Sequence, residues 1–333
     1  MPQFTMPEGE PPVFPVRLQR REEMADAVAK YEFTALDGAP LPPFDAGAHI
    51  DIVIAPEYQR QYSLAGDPAD RSKYVLGVLR ESPESGGRGG SALMHRAFRE
   101  GRTVFITRPT NHFPLFEDAA MSLLFAGGIG VTPMIAMAHR LHALGRPFVL
   151  HYSAASRHTA GFLNDLAQAP WNDKVHHHFK DEGARADLPL LMPPYSAGEH
   201  VYTCGAPRFM DAVFEAAVAR GWPEEAMHRE YFSVPEADAW VNHAFTLRLA
   251  KTCRTFDIPA DRSATDVLAR AGIKIDTKCS DGLCGVCATP YDASASGAIE
   301  HRDFVLGRKE REHKVILCCS RAKEVGGVMV VDL

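Results

Sequence analysis

The chain has no long hydrophobic run. Hydrophobic residues fill 46% of its 333 positions, yet the longest apolar stretches, such as residues 121–126, are strand-sized and far short of the ~18 residues of a membrane span. Charge of one sign is also scarce. The 36 Lys and Arg against 42 Asp and Glu leave a net charge of −6, which excludes a nucleic-acid coat and points to a protein or small-molecule partner. In place of the basic start and apolar core of a secretion signal, the first dozen residues carry Glu8, Glu10 and several prolines, so a cytoplasmic location is expected. Seven cysteines, an odd number with three crowded between Cys279 and Cys287, do not read as a disulfide framework; they suit a metal site in a reducing compartment. Repeats and low-complexity tracts are absent, and 23% charged residues is an ordinary globular balance that rules out a disordered chain. The length leaves room for two or three domains.

From about residue 13 to 108, short runs alternate apolar and polar residues (49–54, 74–78, 103–107) between Gly and Pro, the pattern of an antiparallel barrel or sandwich. The style changes at Met121. An apolar strand (122–126), a glycine turn, a helical period (133–144) and a second strand (148–152) make a parallel α/β unit, which a strand at 200–203 and a helix at 207–220 continue to about Phe232. The acidic stretch 235–239 reads as a linker. The remainder, from about Asn242, holds the cysteine cluster and strand runs at 245–249 and 328–332.

Cys279, Cys284 and Cys287 form C-x4-C-x2-C, and Cys318 follows after 30 intervening residues. This is plant-type 2Fe-2S spacing. Four thiolates must converge on two irons, and Gly282 and Gly285 let backbone N–H groups approach the sulfides. A zinc site is the rival, although zinc motifs usually come as two C-x2-C-like pairs. Cys318 and Cys319 are neighbours that point apart in an extended segment, so one of the two ligates. Cys253 stands alone and is expected to be a small buried apolar residue.

Arg60-Gln61-Tyr62-Ser63-Leu64 has the form R-x-Y-S, shared by flavin reductases of the ferredoxin reductase superfamily. An Arg neutralises a phosphate, a Tyr covers the isoalloxazine, and a Ser hydroxyl reaches flavin N5. Farther on, Gly86-Gly87-Arg88-Gly89-Gly90-Ser91 feeds a helix-patterned segment, 92–98, and a glycine turn at a helix N-terminus is an anion site. Gly127-Gly128-Ile129-Gly130-Val131-Thr132-Pro133-Met134 follows a strand and opens a helix; its backbone N–H groups can approach a pyrophosphate closely. Cys204-Gly205 ends a later strand at the same sheet edge. The run His176-His177-His178 is expected on a partly exposed strand, with alternate imidazoles on opposite faces.

In this order, together with H-R-D at 301–303 and Cys318-Cys319-Ser320-Arg321-Ala322, the motifs resemble the phthalate dioxygenase reductase family from about Val16 to the C-terminus. The family includes the reductases of vanillate demethylases and carnitine monooxygenases. The resemblance implies a multi-domain chain: an antiparallel β-barrel flavin domain (1–110), an α/β parallel-sheet NAD domain (111–233), a linker (234–241), and an α+β ferredoxin-like β-grasp 2Fe-2S domain (242–333). It implies that Arg60, Gln61, Tyr62 and Ser63 contact FMN, with Ser63 at its reactive face. Gly87, Arg88, Gly89, Gly90 and Ser91 would hold its phosphate, Gly77, Val78 and Leu79 would lie along the ring, and Phe232 would stack beside it. Gly128, Gly130 and Thr132 would cradle NADH, with Cys204 at the nicotinamide as a catalytic residue. Cys279, Cys284, Cys287 and, by register, Cys318 would ligate the cluster. Two departures stand out: Cys204-Gly205-Ala206-Pro207 replaces C-G-P, and Leu79 stands where relatives often carry Lys.

A hydride delivers two electrons whereas a 2Fe-2S cluster takes one, and a flavin reconciles the two. The expected function is therefore a reductase carrying electrons from NADH through FMN and a 2Fe-2S cluster to a Rieske non-haem iron terminal oxygenase. Arg88 at a helix start favours FMN, and Asp181 and Glu182 after a strand disfavour the 2′-phosphate of NADPH. The rivals are an FAD-containing reductase of another hydroxylase, whose ferredoxin domain normally comes first, and a non-catalytic zinc-binding protein.

Overall fold

A computed structural model describes residues 13–55, 58–81, 89–232, 240–277 and 279–333. The chain divides into two compact units between Arg229 and Glu230. The first begins with strands β1 (Phe14–Ala25), β2 (Val28–Ala35), β3 (Ala48–Ala55), β4 (Tyr58–Ser63) and β5 (Tyr74–Leu79), helix α1 (Gly90–Ala97), and strands β6 (Thr103–Ile106) and β7 (Thr110–Asn111). They pair in the order β4-β3-β6-β1-β2-β5, with β7 on β3, and the pairs are antiparallel. The two ends of this path meet. Leu64, just past β4, bridges Leu76 of β5, and Ala65 N–H donates to the Val75 carbonyl at 2.8 Å, so the sheet curls into a barrel. Alternate residues fill its interior: Val16 and Leu18, Tyr31 and Phe33, Ile50 and Ile52, Leu76 and Val78 are all buried, as the two-residue period of a strand requires.

The same unit continues with β8 (Met121–Gly127), α2 (Val131–Ala143), β9 (Phe148–Ala154), α3 (Leu163–Gln168), β10 (Val175–Phe179), α4 (Leu188–Leu191), β11 (Glu199–Cys204), α5 (Pro207–Ala219) and β12 (Met227–Glu230). Their order is β10-β9-β8-β11-β12, with β8 parallel to both β9 and β11 and β9 parallel to β10. Central β8 is buried from Ser122 to Ala126, the unbroken apolar run of a strand covered on both faces. Strand order reverses between β8 and β11, which makes the crevice beyond their carboxyl ends the topological switch point where such sheets bind ligands. A continuous hydrophobic core joins barrel residues such as Leu18 and Leu76 to Leu124, Met134 and Leu150.

The second unit holds β13 (Phe245–Leu249), β14 (Thr255–Ile258), α6 (Ala264–Arg270), β15 (Ala288–Pro290), β16 (Ile299–Glu300), α7 (Arg308–Arg311), β17 (Lys314–Ile316), β18 (Arg321–Ala322) and β19 (Val328–Val331). β13 runs antiparallel to β14 and parallel to β19, Tyr291 bridges Val331, and β15 pairs with β17. Helix α6 starts at Ser263, whose hydroxyl accepts the Asp266 N–H at 3.1 Å while the Asp266 carboxylate accepts the Ser263 N–H at 3.3 Å, a reciprocal cap. Its Ala264 and Leu268 pack with Leu247 and Met329 of the sheet, in the β-grasp manner. Among the described residues no helix is long and apolar enough to cross a membrane.

One expectation is overturned. Cys253 is exposed, at φ +55°, because it occupies the tight turn joining β13 to β14, where the backbone turns the side chain outward. The histidine run follows its expected alternation: His176 and His178 face His151, with His151 Nδ1 3.1 Å from His178 Nε2, and His177 stacks on Phe179.

Candidate functional site

Strand β4 displays the R-x-Y-S segment. Its register with β3 places Arg60 opposite Ile52, Gln61 opposite Asp51, Tyr62 opposite Ile50 and Ser63 opposite His49. Ser63 is buried, and burial pushes the Tyr62 phenol far above its usual range, with Arg60 countering in part. The Arg60 side chain lies directly over Gly90 at the start of α1, a β-carbon there standing 2.7 Å from its Nε. The first turn of α1 contains no acidic residue, so a guanidinium and the positive end of a helix dipole share one spot. The Ser91 hydroxyl accepts the Glu81 N–H at 3.1 Å. Gly87 and Arg88 lie outside the described residues.

On β5, Val78 is buried and Leu79 is 37% exposed. The closing bridge Leu64–Leu76 puts Ser63 in register with Gly77. Over Gly77 lie the Thr132 methyl, which a β-carbon would approach to 2.7 Å, and the Phe162 ring, at 2.5 Å. Strand β5 and the first turn of α2 therefore touch. Phe162 was not legible in the sequence: it is a buried non-glycine residue at φ +65°, brought in by tertiary approach alone. Phe232 is 42% exposed and belongs to the C-terminal unit.

At the switch point, the turn 128–130 leads from β8 into α2. Thr132 is buried, and its hydroxyl donates to the Ile129 carbonyl at 3.0 Å. Cys204, fully buried at the end of β11, comes so close that a β-carbon on Gly130 would sit 2.2 Å from its carbonyl oxygen. The displaced proline has a local role, since Ala206 caps α5 and Pro207 takes its first position, where a missing N–H costs nothing.

In the second unit Cys284, Cys287 and Cys318 are buried and Cys279 is half-buried. The Cys279 thiol interacts with those of Cys284 and Cys318, and the Cys287 thiol with that of Cys318. Those thiols, with the Asp281 and Leu283 N–H groups donating to Cys279 Sγ at 3.4 Å each, hold Cys279 well below the usual thiol range. The Cys319 thiol donates to the Ile316 carbonyl at 3.8 Å and also interacts with the Cys318 thiol. Gly282, at φ +74°, tolerates no β-carbon, which would meet Cys319 Sγ at 2.7 Å and Asp303 Cα at 3.0 Å. Four soft donors around a loop that aims N–H groups at sulfur fit an iron-sulfur cluster.

The H-R-D motif supports that loop from behind. Phe304 N–H donates to the Gly282 carbonyl at 3.0 Å. The wholly buried Asp303 carboxylate accepts from Val305 and Leu306 N–H at 3.2 and 2.7 Å and faces Arg311 at 3.5 Å. Arg302 binds Asn242 and the Val241 carbonyl.

The 2Fe-2S iron-sulfur cluster binding domain model matches residues 248–323. The chain is 40% identical over 318 residues to the tert-butanol monooxygenase / tert-amyl alcohol desaturase reductase subunit of Aquincola tertiaricarbonis, covering 91% of each. It is 36% identical over 321 residues to the phthalate dioxygenase reductase of Burkholderia cepacia, covering 96% of this chain and 97% of that one. The chain belongs to the phthalate dioxygenase reductase family. This reductase is similar to a solved phthalate dioxygenase reductase with a TM-score of 0.68 at 35% identity, over 96% of this chain and 98% of that one. Its likeness to a solved type IV self-sufficient cytochrome monooxygenase has a TM-score of 0.85 at 35% identity, where it spans 41% of that longer chain. It is an oxidoreductase that combines a flavin and pyridine-nucleotide reductase fold with a 2Fe-2S domain.

Proposed function

We propose that this reductase takes hydride from NADH onto FMN and passes single electrons through a 2Fe-2S cluster to a Rieske-type terminal oxygenase, in the cytoplasm. The observation that carries the reading is the packing of Thr132, from the nucleotide helix, over Gly77, from the barrel strand that ends beside Ser63. A nicotinamide at the switch point and a flavin on the barrel would then share one crevice. When bound, the flavin accepts two electrons together and releases them singly, as a one-electron cluster requires.

The side chains do positioning work. Arg60 and the start of α1, Gly89 to Ser91, would hold the flavin phosphate, joined by Gly87 and Arg88, and a guanidinium closing on a terminal phosphate favours FMN over FAD. Gln61, Tyr62, Gly77, Val78 and Leu79 would line the ring, and Ser63 and Cys204 would border the reacting faces. Gly128, Gly130 and Thr132 would seat the pyrophosphate, and Cys279, Cys284, Cys287 and Cys318 would hold the cluster. The domain bounds 1–110, 111–233 and 242–333 belong to the same proposal. Relatives named as reductases of phthalate dioxygenase and of an alcohol monooxygenase support an oxygenase partner.

The test is an anaerobic titration of the purified protein with NADH, followed by visible absorption, with acid release and chromatography of the flavin. Bleaching of flavin and iron-sulfur bands with uptake of about three electrons, two for the flavin and one for the cluster, together with released FMN, is the expected result. Bound zinc with no flavin, after attempted reconstitution, would overturn it.

A further inference from the structure

In doubly wound sheets the adenosine ribose of a dinucleotide is read roughly 20 residues or more past the glycine turn. An acid there hydrogen-bonds the 2′-hydroxyl, and an Arg nearby accommodates a 2′-phosphate. In this chain the turn after β9, residues 155–157, offers no acid and ends in Arg157, 29 positions beyond Gly128. Taken alone, that residue would suit NADPH.

The neighbouring strand reverses the preference. Residues 180–182 make a single 3₁₀ turn after β10, tied to the β9 turn by the Asp181 N–H donating to the Ala155 carbonyl at 3.1 Å. From it Glu182 grips Arg157 as a fork, Nε to Oε1 at 2.6 Å and Nη2 to Oε2 at 3.2 Å. The guanidinium also sits over the Phe179 ring, 4.5 Å from its centre. The Nε–Nη2 side of the guanidinium is thus engaged by a carboxylate, and Asp181 adds a second negative charge. Because β8, β9 and β10 are successive parallel neighbours, the pair lies at the carboxyl edge about two strand spacings, ~10 Å, from the Gly128 turn, on the side where the adenosine half would run.

We infer that Glu182 makes this reductase select NADH over NADPH, by filling the Arg157 fork that would otherwise take the 2′-phosphate. The inference rests on the proposed nucleotide site at the β8–β11 crevice. Its test uses the flavin- and cluster-loaded protein and calorimetric titration with two probes, 5′-AMP and 2′,5′-ADP, beside the ratio of kcat/KM for NADPH to that for NADH. Glu182→Gln is expected to bind 2′,5′-ADP at least about tenfold more tightly than the unaltered protein, and the NADPH to NADH ratio is expected to rise in step. Adding Arg157→Gln should erase both gains. A 2′,5′-ADP affinity unchanged in Glu182→Gln, or a gain that survives in the double variant, would overturn the inference while 5′-AMP binding and NADH reduction leave the reductase reading intact. A protein that binds neither probe and is not reduced by NADH would overturn that reading, and the inference with it.

Discussion

A β-carbon on Gly130 would stand 2.2 Å from the carbonyl oxygen of Cys204, so the turn after β8 and the end of β11 meet backbone to backbone at the switch point. Gly130→Ala must push these strand ends apart. The expected cost is about 1–3 kcal/mol of overpacking, a fall of several degrees in melting temperature, with a raised KM for NADH because the turn proposed to seat the pyrophosphate moves. Circular dichroism melts and steady-state kinetics measure both, and an alanine variant that matched the parent in each would show the turn to be slack.

Cys318 and Cys319 are adjacent in sequence; the Cys318 thiol interacts with those of Cys279 and Cys287, while the Cys319 thiol donates to the Ile316 carbonyl. Cys318→Ser should therefore abolish the electron paramagnetic resonance signal of the reduced protein and leave the flavin bound. Cys319→Ser should keep both. The opposite pattern would move the fourth ligand to Cys319.

Local pattern made much of this molecule legible. The alternation at residues 49–54 became β3, the run 245–249 became β13 with the same bounds, and the glycine turn after 122–126 opens α2 as expected. The cysteine spacing was readable because the loop that needs it is only nine residues long, Cys279 to Cys287. β1 was harder, since Arg20, Arg21, Glu22 and Glu23 crowd its outer half and blur the two-residue period. What could not be read depends on distant segments meeting. Phe162 covers Gly77 across 85 positions, and Glu182 disarms Arg157 across 25; neither pair has a local signature, because nothing in the intervening chain encodes the approach.

Burial within the parallel-sheet region carries a pH signature. His151, stacked on Phe125 at 5.0 Å, and His228, stacked on Tyr202 at 4.7 Å, are each pushed down to about 4, chiefly by desolvation and secondarily by neighbouring imidazoles. In the unfolded chain both titrate near 6.5. Between those values the unfolded state binds more protons, so stability from the neutral imidazoles is complete above about pH 6.5 and is lost as pH falls toward 4. The melting temperature of the N-terminal unit should drop between pH 7.5 and pH 5. His151→Phe, which keeps a stacked ring without a titrating nitrogen, should flatten that slope, and an unaltered slope would assign the effect to other groups.

The buried Asp303 carboxylate, which accepts two backbone N–H groups and faces Arg311, secures the segment whose Phe304 N–H holds the Gly282 carbonyl at 3.0 Å. Asp303→Ala strips two backbone donors of their acceptor and removes the carboxylate that faces the partly exposed Arg311, at a cost of about 1–3 kcal/mol for donors left unsatisfied. Asp303→Asn keeps one acceptor oxygen and should cost less. The loss falls on the cluster loop and not on the barrel, so iron should pass to a chelator several-fold faster in Asp303→Ala than in the parent, with Asp303→Asn between them and flavin content unchanged in all three. Equal iron-release rates would mean that the cysteine loop holds its shape without the support of the H-R-D segment.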